Sequence, residues 1–215
     1  PIAEQSGLIH HITTFVIQQV IKDLKAWKDN GVEHQAAINL SVHDIENEEL
    51  LPWVIKNIKK HQLNHESLSF EITESDVMKD PQKSTKNLLA FRDAGFNLAI
   101  DDFGTGYSSL SYLKYMPISE LKIDKSFVLK LNEETNDKKI IQTIMSLAKN
   151  FNLEVVAEGV ENEASLTILK QLGCDWIQGY YISRPMPAEQ LTTWLTETKT
   201  LYSNTSEKNE NAHTN

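Results

Sequence analysis

The sequence contains a single cysteine, Cys174, in 215 residues. One thiol cannot build a disulfide framework within the chain, and this scarcity fits a reducing compartment, so we expect a cytoplasmic domain. The sequence also lacks a signal peptide and any apolar run near the roughly 20 residues that cross a bilayer. We therefore expect no membrane segment in this chain, which leaves open whether a parent protein is membrane-anchored.

Basic residues are also in short supply. Lysine and arginine together number 21, against 30 aspartates and glutamates, and the net charge is −9. A groove for a nucleic-acid polymer needs a basic surface, so we expect no such partner. A small phosphate ligand remains compatible with this charge, because a bound metal ion supplies positive charge locally.

The sequence does contain an alternation of two periodicities. Six runs rich in apolar and β-branched residues indicate strands, over residues 36–40, 67–73, 97–103, 120–127, 153–160 and 175–183. Segments with helical spacing of apolar residues separate these runs. Strands that alternate with helices predict an α/β fold with a parallel sheet, covered by helices on both faces.

The two ends of the chain differ in character. Near the start, an apolar stripe at helical spacing predicts a helix that faces the core, formed by Ile12, Phe15, Val16, Val20, Leu24 and Trp27. Near the other end, Pro187 predicts the start of a last helix, which runs through Leu195. From residue 200 the chain is polar, so we expect an ordered domain over 1–199 and a disordered tail over 200–215.

Polar residues recur at or near the carboxyl end of every predicted strand. In chain order they are Asn39, Glu71, Asp101 with Asp102, Lys122, Glu158 and Gln178. In a (β/α) barrel these strand ends converge on one face, where active sites lie. Carboxylate and amide oxygens suit hard divalent cations, so this set predicts a site for Mg²⁺ or Mn²⁺.

Asp101 and Asp102 lie side by side at the end of the third run. Neighbouring strand residues point to opposite faces, so both carboxylates can serve one site only if the backbone turns there. Gly104 and Gly106 permit such a turn. Adjacent carboxylates repel each other unless positive charge lies beside them, as two metal ions would provide. An aspartate pair that caps a turn is the alternative interpretation.

The chain resembles an EAL domain, the phosphodiesterase that linearises cyclic di-GMP, from Pro1 to about Leu195. The most specific matching motif is "DDFGTGYSSLSYL" (101–113). Further matching motifs are "NLS" (39–41), "EITES" (71–75), "LKIDKSF" (121–127), "VVAEGVE" (155–161) and "LGCDWIQGYYISRPMP" (172–187). The resemblance implies a (β/α)8 barrel, with about six of its eight strands visible here.

The sequence departs from the family in one respect, since it contains no Glu-Ala-Leu triplet. Its opening, "PIAEQSGLI", resembles the segment that follows this triplet in the family, and the chain does not begin with Met. We therefore expect a fragment truncated before that segment, with impaired activity of its own. We expect the parent protein to carry the missing strands and regulatory domains upstream.

The resemblance implies hydrolysis of cyclic di-GMP to linear pGpG, by water attack on a phosphodiester assisted by two Mg²⁺ or Mn²⁺ ions. The implied metal ligands are Asn39, Glu71, Asp101, Asp102 and Glu158. Lys122 would hold the water, and Glu158 is a ligand or the general base. Gln178 and Glu161 would contact the substrate. The alternative function is a catalytically inactive module that binds cyclic di-GMP or a protein.

Glu74 has a different implied role, which is to order the loop that contains Thr105 and Ser108. This loop lies near the family's dimer contact, so we expect a homodimer. Structural alternatives to the implied roles remain open at this stage. Lys122 could neutralise Asp124, Asn39 could cap the turn that follows it, and Gln178 could bond only backbone groups.

Overall fold

The structure, a computed structural model, describes residues 7–106, 110–131 and 135–195. The chain divides into two compact units, Pro1–Ser183 and Arg184–Asn215. The predicted tail over 200–215 lies outside the described residues, and the domain boundary at 199 stays a prediction. Within the described ranges, no helix has the length and apolar character needed to cross a membrane.

The first unit alternates strands with helices. Its strands are β1 (Ala36–Asn39), β2 (Leu68–Thr73), β3 (Asn97–Phe103), β4 (Glu120–Ile123), β5 (Glu154–Ala157) and β6 (Trp176–Ile177). Its helices are α1 (Ile9–Asp29), α2 (Val42–Ile45), α3 (Leu50–Lys60), α4 (Glu74–Val77), α5 (Pro81–Asp93), α6 (Leu110–Leu113), α7 (Lys125–Leu129), α8 (Thr135–Phe151) and α9 (Glu163–Leu172), with a 3₁₀ turn at His65–Ser67.

The six strands form one parallel sheet in the order β1-β2-β3-β4-β5-β6. Each strand therefore pairs with the next one along the chain, as in a (β/α) barrel, and helices connect them. The predicted α/β fold with six parallel strands is confirmed. All six predicted strands are present in the described residues.

Three predicted strands are shorter than expected. The run 153–160 is a strand only at Glu154–Ala157. The run 120–127 ends as a strand at Ile123, because the Asp124 side chain accepts a hydrogen bond from the Ser126 N–H and so begins α7. The run 175–183 is a strand only at Trp176–Ile177. Its remainder forms turns, in which the Ile182 N–H donates to the Gly179 carbonyl.

The sheet has one apolar and one polar face along its central strands. In β2, Leu68, Phe70 and Ile72 are fully buried and alternate with Ser69, Glu71 and Thr73. In β4, Leu121 and Ile123 alternate in the same way with Glu120 and Lys122. Successive side chains of a strand point to opposite faces of the sheet, so the apolar and the polar residues lie on different faces. The hydrophobic core packs against the apolar face, and the polar face contains the candidate site residues Glu71 and Lys122.

The position of α1 corrects one prediction. Its buried residues are Thr13, Ile17, Ile21 and Leu24, whereas Ile12, Phe15 and Val16 are exposed. The predicted stripe is therefore wrong in the first half of the helix. On this inward face the Thr13 hydroxyl donates a buried hydrogen bond to the Asp44 carboxylate, so a polar residue takes an inward position. A hydrophobicity pattern does not register such a bond.

The second unit contains a helix over residues 188–195. The Gln190 and Leu191 N–H groups both donate to the Pro187 carbonyl, at 3.0 Å each. Proline at this point lacks an N–H that a first turn would leave unused. The predicted last helix is confirmed.

Candidate functional site

The candidate site lies at the carboxyl ends of the strands. Because the strands are parallel and in sequential register, these ends share one edge of the sheet. Asn39 ends β1 directly beside Glu71 of β2, and Thr73 of β2 pairs with Asp101 of β3. Glu158 and Gln178 follow β5 and β6 without a gap. The sheet thus brings the predicted residues to one edge.

Lys122 is at the centre of the site and only 4% exposed. Its Nζ lies 2.7 Å from Glu71 Oε2, 2.6 Å from Glu158 Oε1 and 3.4 Å from Asp101 Oδ1. Burial by itself would lower the pKa of Lys122, but the hydrogen bonds to Glu158 and Glu71 outweigh burial and raise it. The ammonium is therefore charged and joins carboxylates from three neighbouring strands.

A second group of acids overlaps this one. Asp101, Asp102 and Glu158 each offer a carboxylate oxygen within 4.8 Å of the others. Asp102 has a φ of 55°, in the left-handed region, and the β3–β4 register shifts between Ile100 and Phe103. This local distortion brings two adjacent aspartates to one site. The sequence predicts a backbone turn at Gly104 and Gly106, and in the structure this turn already begins at Asp102.

The acids of the site carry more negative charge than Lys122 neutralises. Burial raises the pKa of Glu71, against the effect of the Lys122 hydrogen bond. Burial also raises the pKa of Asp102, and the charges of Asp101 and Asp124 add to the shift. Three carboxylates thus contact one ammonium, and Asp102 adds a fourth acid beside Asp101 and Glu158. This oxygen-donor set fits a divalent cation, which would supply the missing positive charge.

The sequence alone did not identify two residues that affect the electrostatics of the site, Asp124 and Glu120. The charge of Asp124 helps to raise the pKa of Asp102, after burial and the charge of Asp101, and the Asp124 side chain also begins α7. Glu120 has a pKa raised to about 7, chiefly by burial and next by the charge of Glu71. A period-two count from Lys122 places Glu120 on the same face of β4, and that signal could have found it.

Glu74 lies under the loop that follows β3. It is 2% exposed, and its Oε2 accepts a hydrogen bond of 3.0 Å from the Gly104 N–H. A Cβ at Gly106 would lie 3.4 Å from the Glu74 carboxyl carbon, so the loop packs closely on this side chain. The Thr105 hydroxyl donates to the Asp102 carbonyl at 2.9 Å. Ser108 lies outside the described residues.

The outer members of the set are more accessible to solvent. Asn39, Glu161 and Gln178 are exposed at the same edge of the sheet. The Gln178 backbone donates to Ala157 at 2.9 Å and accepts from Val160 at 3.1 Å. Since the backbone is held by its neighbours, the amide side chain remains available for a ligand.

The structural alternatives for Asn39 and Lys122 find less support in these contacts. Ser41, and not Asn39, caps α2, because its hydroxyl accepts from the Asp44 N–H. Lys122 pairs with Glu71, Glu158 and Asp101, while Asp124 begins α7. The catalytic and ligand roles of these residues stay predictions.

Comparisons with known proteins agree with this arrangement. A family model described as "EAL domain" matches residues 1–185. The chain is 42% identical over 192 residues to the bifunctional diguanylate cyclase/cyclic di-GMP phosphodiesterase MucR of Pseudomonas aeruginosa, which covers 89% of this chain and 28% of MucR. It is 39% identical over 196 residues to the signaling protein YkoW of Bacillus subtilis, which covers 91% of this chain and 24% of YkoW.

Solved structures show the same likeness. The phosphodiesterase PaMucR in complex with c-di-GMP superposes with a TM-score of 0.85 at 42% identity, over 89% of this chain and 78% of that one. The FimX EAL domain from Pseudomonas aeruginosa bound to c-di-GMP superposes with a TM-score of 0.78 at 28% identity. This match covers 85% of this chain and 73% of that one. The chain spans about a quarter of the curated relatives MucR and YkoW. On the family match and these two relatives, the chain belongs to the EAL domain family.

Proposed function

We propose that the site hydrolyses cyclic di-GMP to linear pGpG, with two Mg²⁺ or Mn²⁺ ions as cofactors. The observation that carries this proposal is the cluster of Asp101, Asp102 and Glu158, whose oxygens lie within 4.8 Å of one another beside buried Lys122. The c-di-GMP complex of PaMucR, a similar domain, supports the choice of ligand. The activity of the whole protein is part of the proposal, because the chain spans only part of its relatives.

The residues that would hold the metals are the oxygen donors at the strand ends, Asn39, Glu71, Asp101, Asp102 and Glu158. Bound divalent ions would polarise the phosphoryl oxygens and lower the pKa of the attacking water. A role for Asp101 shared between the two groups is supported by its 3.4 Å contact with Lys122 and its nearness to Asp102 and Glu158.

Glu158 and Lys122 would act on the attacking water. Glu158 follows β5 at the open edge of the site, and its Oε1 lies 2.6 Å from the Lys122 ammonium. In this role the Glu158 carboxylate accepts a proton from the water, while Lys122 holds the water by donating a hydrogen bond. The Lys122 ammonium also offsets part of the negative charge that Glu158 shares with Glu71 and Asp101.

The exposed residues at the rim of the site, Gln178 and Glu161, would bind the dinucleotide. Gln178 and Glu161 would donate to or accept from the ligand at the rim of the site. Glu74 would keep the 104–106 loop ordered through its bond to the Gly104 N–H. A homodimer that contacts this loop and regulatory domains upstream are further parts of the prediction.

The test is turnover of cyclic di-GMP by the natural protein that contains this chain. We expect linear pGpG as the product with Mg²⁺ or Mn²⁺, and none in excess chelator. Asp101→Asn should abolish turnover, whereas Asp93→Asn, at an exposed position that ends α5, should not. Tight binding of cyclic di-GMP without turnover would contradict the enzyme and favour the inactive binding module. Full turnover in chelator would contradict the role of the metals.

A further inference from the structure

The turns that follow β5 and β6 are joined backbone to backbone. The Val160 N–H donates to the Gln178 carbonyl at 3.1 Å, and the Tyr181 N–H donates to the Val160 carbonyl at 2.9 Å. Val160 is fully buried. These bonds connect the turn that begins at Glu158 to the turn that begins at Gln178. A shift of one turn must therefore move the other or break both bonds.

Gly179 lies at the closest point of this junction. A Cβ on Gly179 would overlap the backbone N and O of Val160 and would lie 2.7 Å from its carbonyl carbon. The obstacle is peptide backbone, so no side-chain rotation could relieve it. Gly179 is not among the glycines with a positive φ, in contrast to Gly159 and Gly173. Glycine is thus required here for space and not for its backbone freedom.

The same turn is in close contact on its other side. A Cβ on Gly159 would lie 2.5 Å from the Cβ and 3.2 Å from the Cα of Lys125. Lys125 begins α7, just beyond the strand that carries Lys122. The Glu158 turn is therefore enclosed between the α7 backbone and the Gln178 turn. Two glycines allow this close approach.

We propose that Gly179 is a positioning residue, which sets the place of the Glu158 carboxylate and the Gln178 amide relative to each other through Val160. The inference rests on the proposed function, because it assigns Gly179 a role through these two residues. No contact of Gly179 with the substrate is needed. Its effect on the reaction passes through the backbone bonds of Val160.

The test compares Gly179→Ala with Gly173→Ala in the natural protein. Non-bonded carbons separate by about 3.5 Å or more, so alanine at 179 must move the junction by about 1 Å. A displacement of this size at a reacting centre costs about 100-fold in rate, and we expect that loss in kcat. Gly173 ends α9 at φ 82°, with nothing within 4 Å of an added Cβ. Gly173→Ala adds backbone strain only, and its kcat should stay within about threefold of the original protein.

A double variant distinguishes a positioning role of Gly179 from a general loss of structure. In Glu158→Gln the proposed base is already lost, so adding Gly179→Ala should lower kcat by no more than about tenfold, which is the part of the effect that passes through Gln178. An equal loss of about 100-fold in both backgrounds would overturn the inference, and so would an unchanged kcat in Gly179→Ala. Normal turnover of Glu158→Gln would instead overturn the role of Glu158 in the proposed function.

Hydrogen exchange in the original protein gives a test that does not depend on folding of the variant. The Val160 and Tyr181 amides donate across the junction, so they should exchange only when the two turns separate. We expect both to be protected, with rates within about tenfold of each other. Exchange of either amide at the rate of an unstructured peptide would overturn the inference.

Discussion

Glu120 gives the sharpest quantitative prediction. It lies two residues before Lys122 on β4, opposite Glu154 of β5 in the strand register. Its pKa is raised from 4.5 to about 7, by burial first and then by the charges of Glu71, Glu154 and Asp101, with Lys122 acting against them. Glu120→Gln keeps the size of the side chain and removes the charge, so it isolates the cost of ionising this carboxyl.

The magnitude follows from the difference between the folded and unfolded pKa. Below about pH 4.5 both states hold the proton, and the residue contributes no pH dependence. Between about pH 4.5 and 7 the unfolded state loses the proton first, so the free energy of unfolding falls as pH rises. The full shift corresponds to about 3 kcal/mol, or about 2 kcal/mol after allowance for solvent screening of a partly exposed group. Above about pH 7 this loss is complete.

The assay is urea unfolding at about pH 4.5 and about pH 8, in chelator. Relative to the original protein, Glu120→Gln should gain about 2 kcal/mol more at the higher pH than at the lower. Glu33→Gln removes the same charge at an exposed loop position and should show no such difference. Added Mg²⁺ should reduce the gain, because it would neutralise the carboxylates that help to raise the pKa. If the pH dependence of Glu120→Gln matches that of the original protein, the reasoning is wrong.

Four further predictions concern the site and the sheet. Asp101→Ala should abolish hydrolysis and weaken Mn²⁺ binding in calorimetry, while Cys174→Ser should leave both nearly unchanged, since burial raises the pKa of that thiol to about 11 and keeps it protonated. Ca²⁺ should inhibit in a turnover assay with Mg²⁺ present, because its larger and irregular coordination misplaces the water; activation by Ca²⁺ would contradict this. Glu74→Ala should lower the free energy of unfolding by about 1–3 kcal/mol and speed proteolysis at the 104–106 loop, because it leaves the Gly104 N–H without its acceptor. In size-exclusion chromatography the isolated chain should self-associate, because β1 and β6 end the described sheet and unpaired strand edges pair with other chains; a monomer at every protein concentration would refute this.

β3 was predictable because it contains a continuous apolar run, and β2 and β4 because apolar and polar residues alternate along them. Residues such as Leu98, Ala99 and Ile100 show this signal without any knowledge of their partners. The location of the site was predictable because polar residues lie at the carboxyl ends of these runs. The sheet brings Glu71, Asp101 and Lys122 together, as that position predicts.

Features that depend on distant contacts were not predictable. The inward face of α1 includes the polar Thr13, whose hydroxyl bonds Asp44, 31 residues away. The left-handed φ of Asp102 is unfavourable for a non-glycine residue, and sequence patterns assign it to the following glycines instead. The raised pKa of Glu120 depends on charges from β2, β3 and β5 that meet only in the folded sheet.

The positive charge of Lys122 would affect how readily the site exchanges bound metal ions. Its ammonium contacts carboxylates from β2, β3 and the turn after β5, so these oxygens already lie close together where an ion would bind. The same ammonium would repel a dication at short range. A bound ion would therefore be held more weakly, and leave more readily, than among the same acids without a lysine. Occupancy would then follow the free metal concentration around the protein.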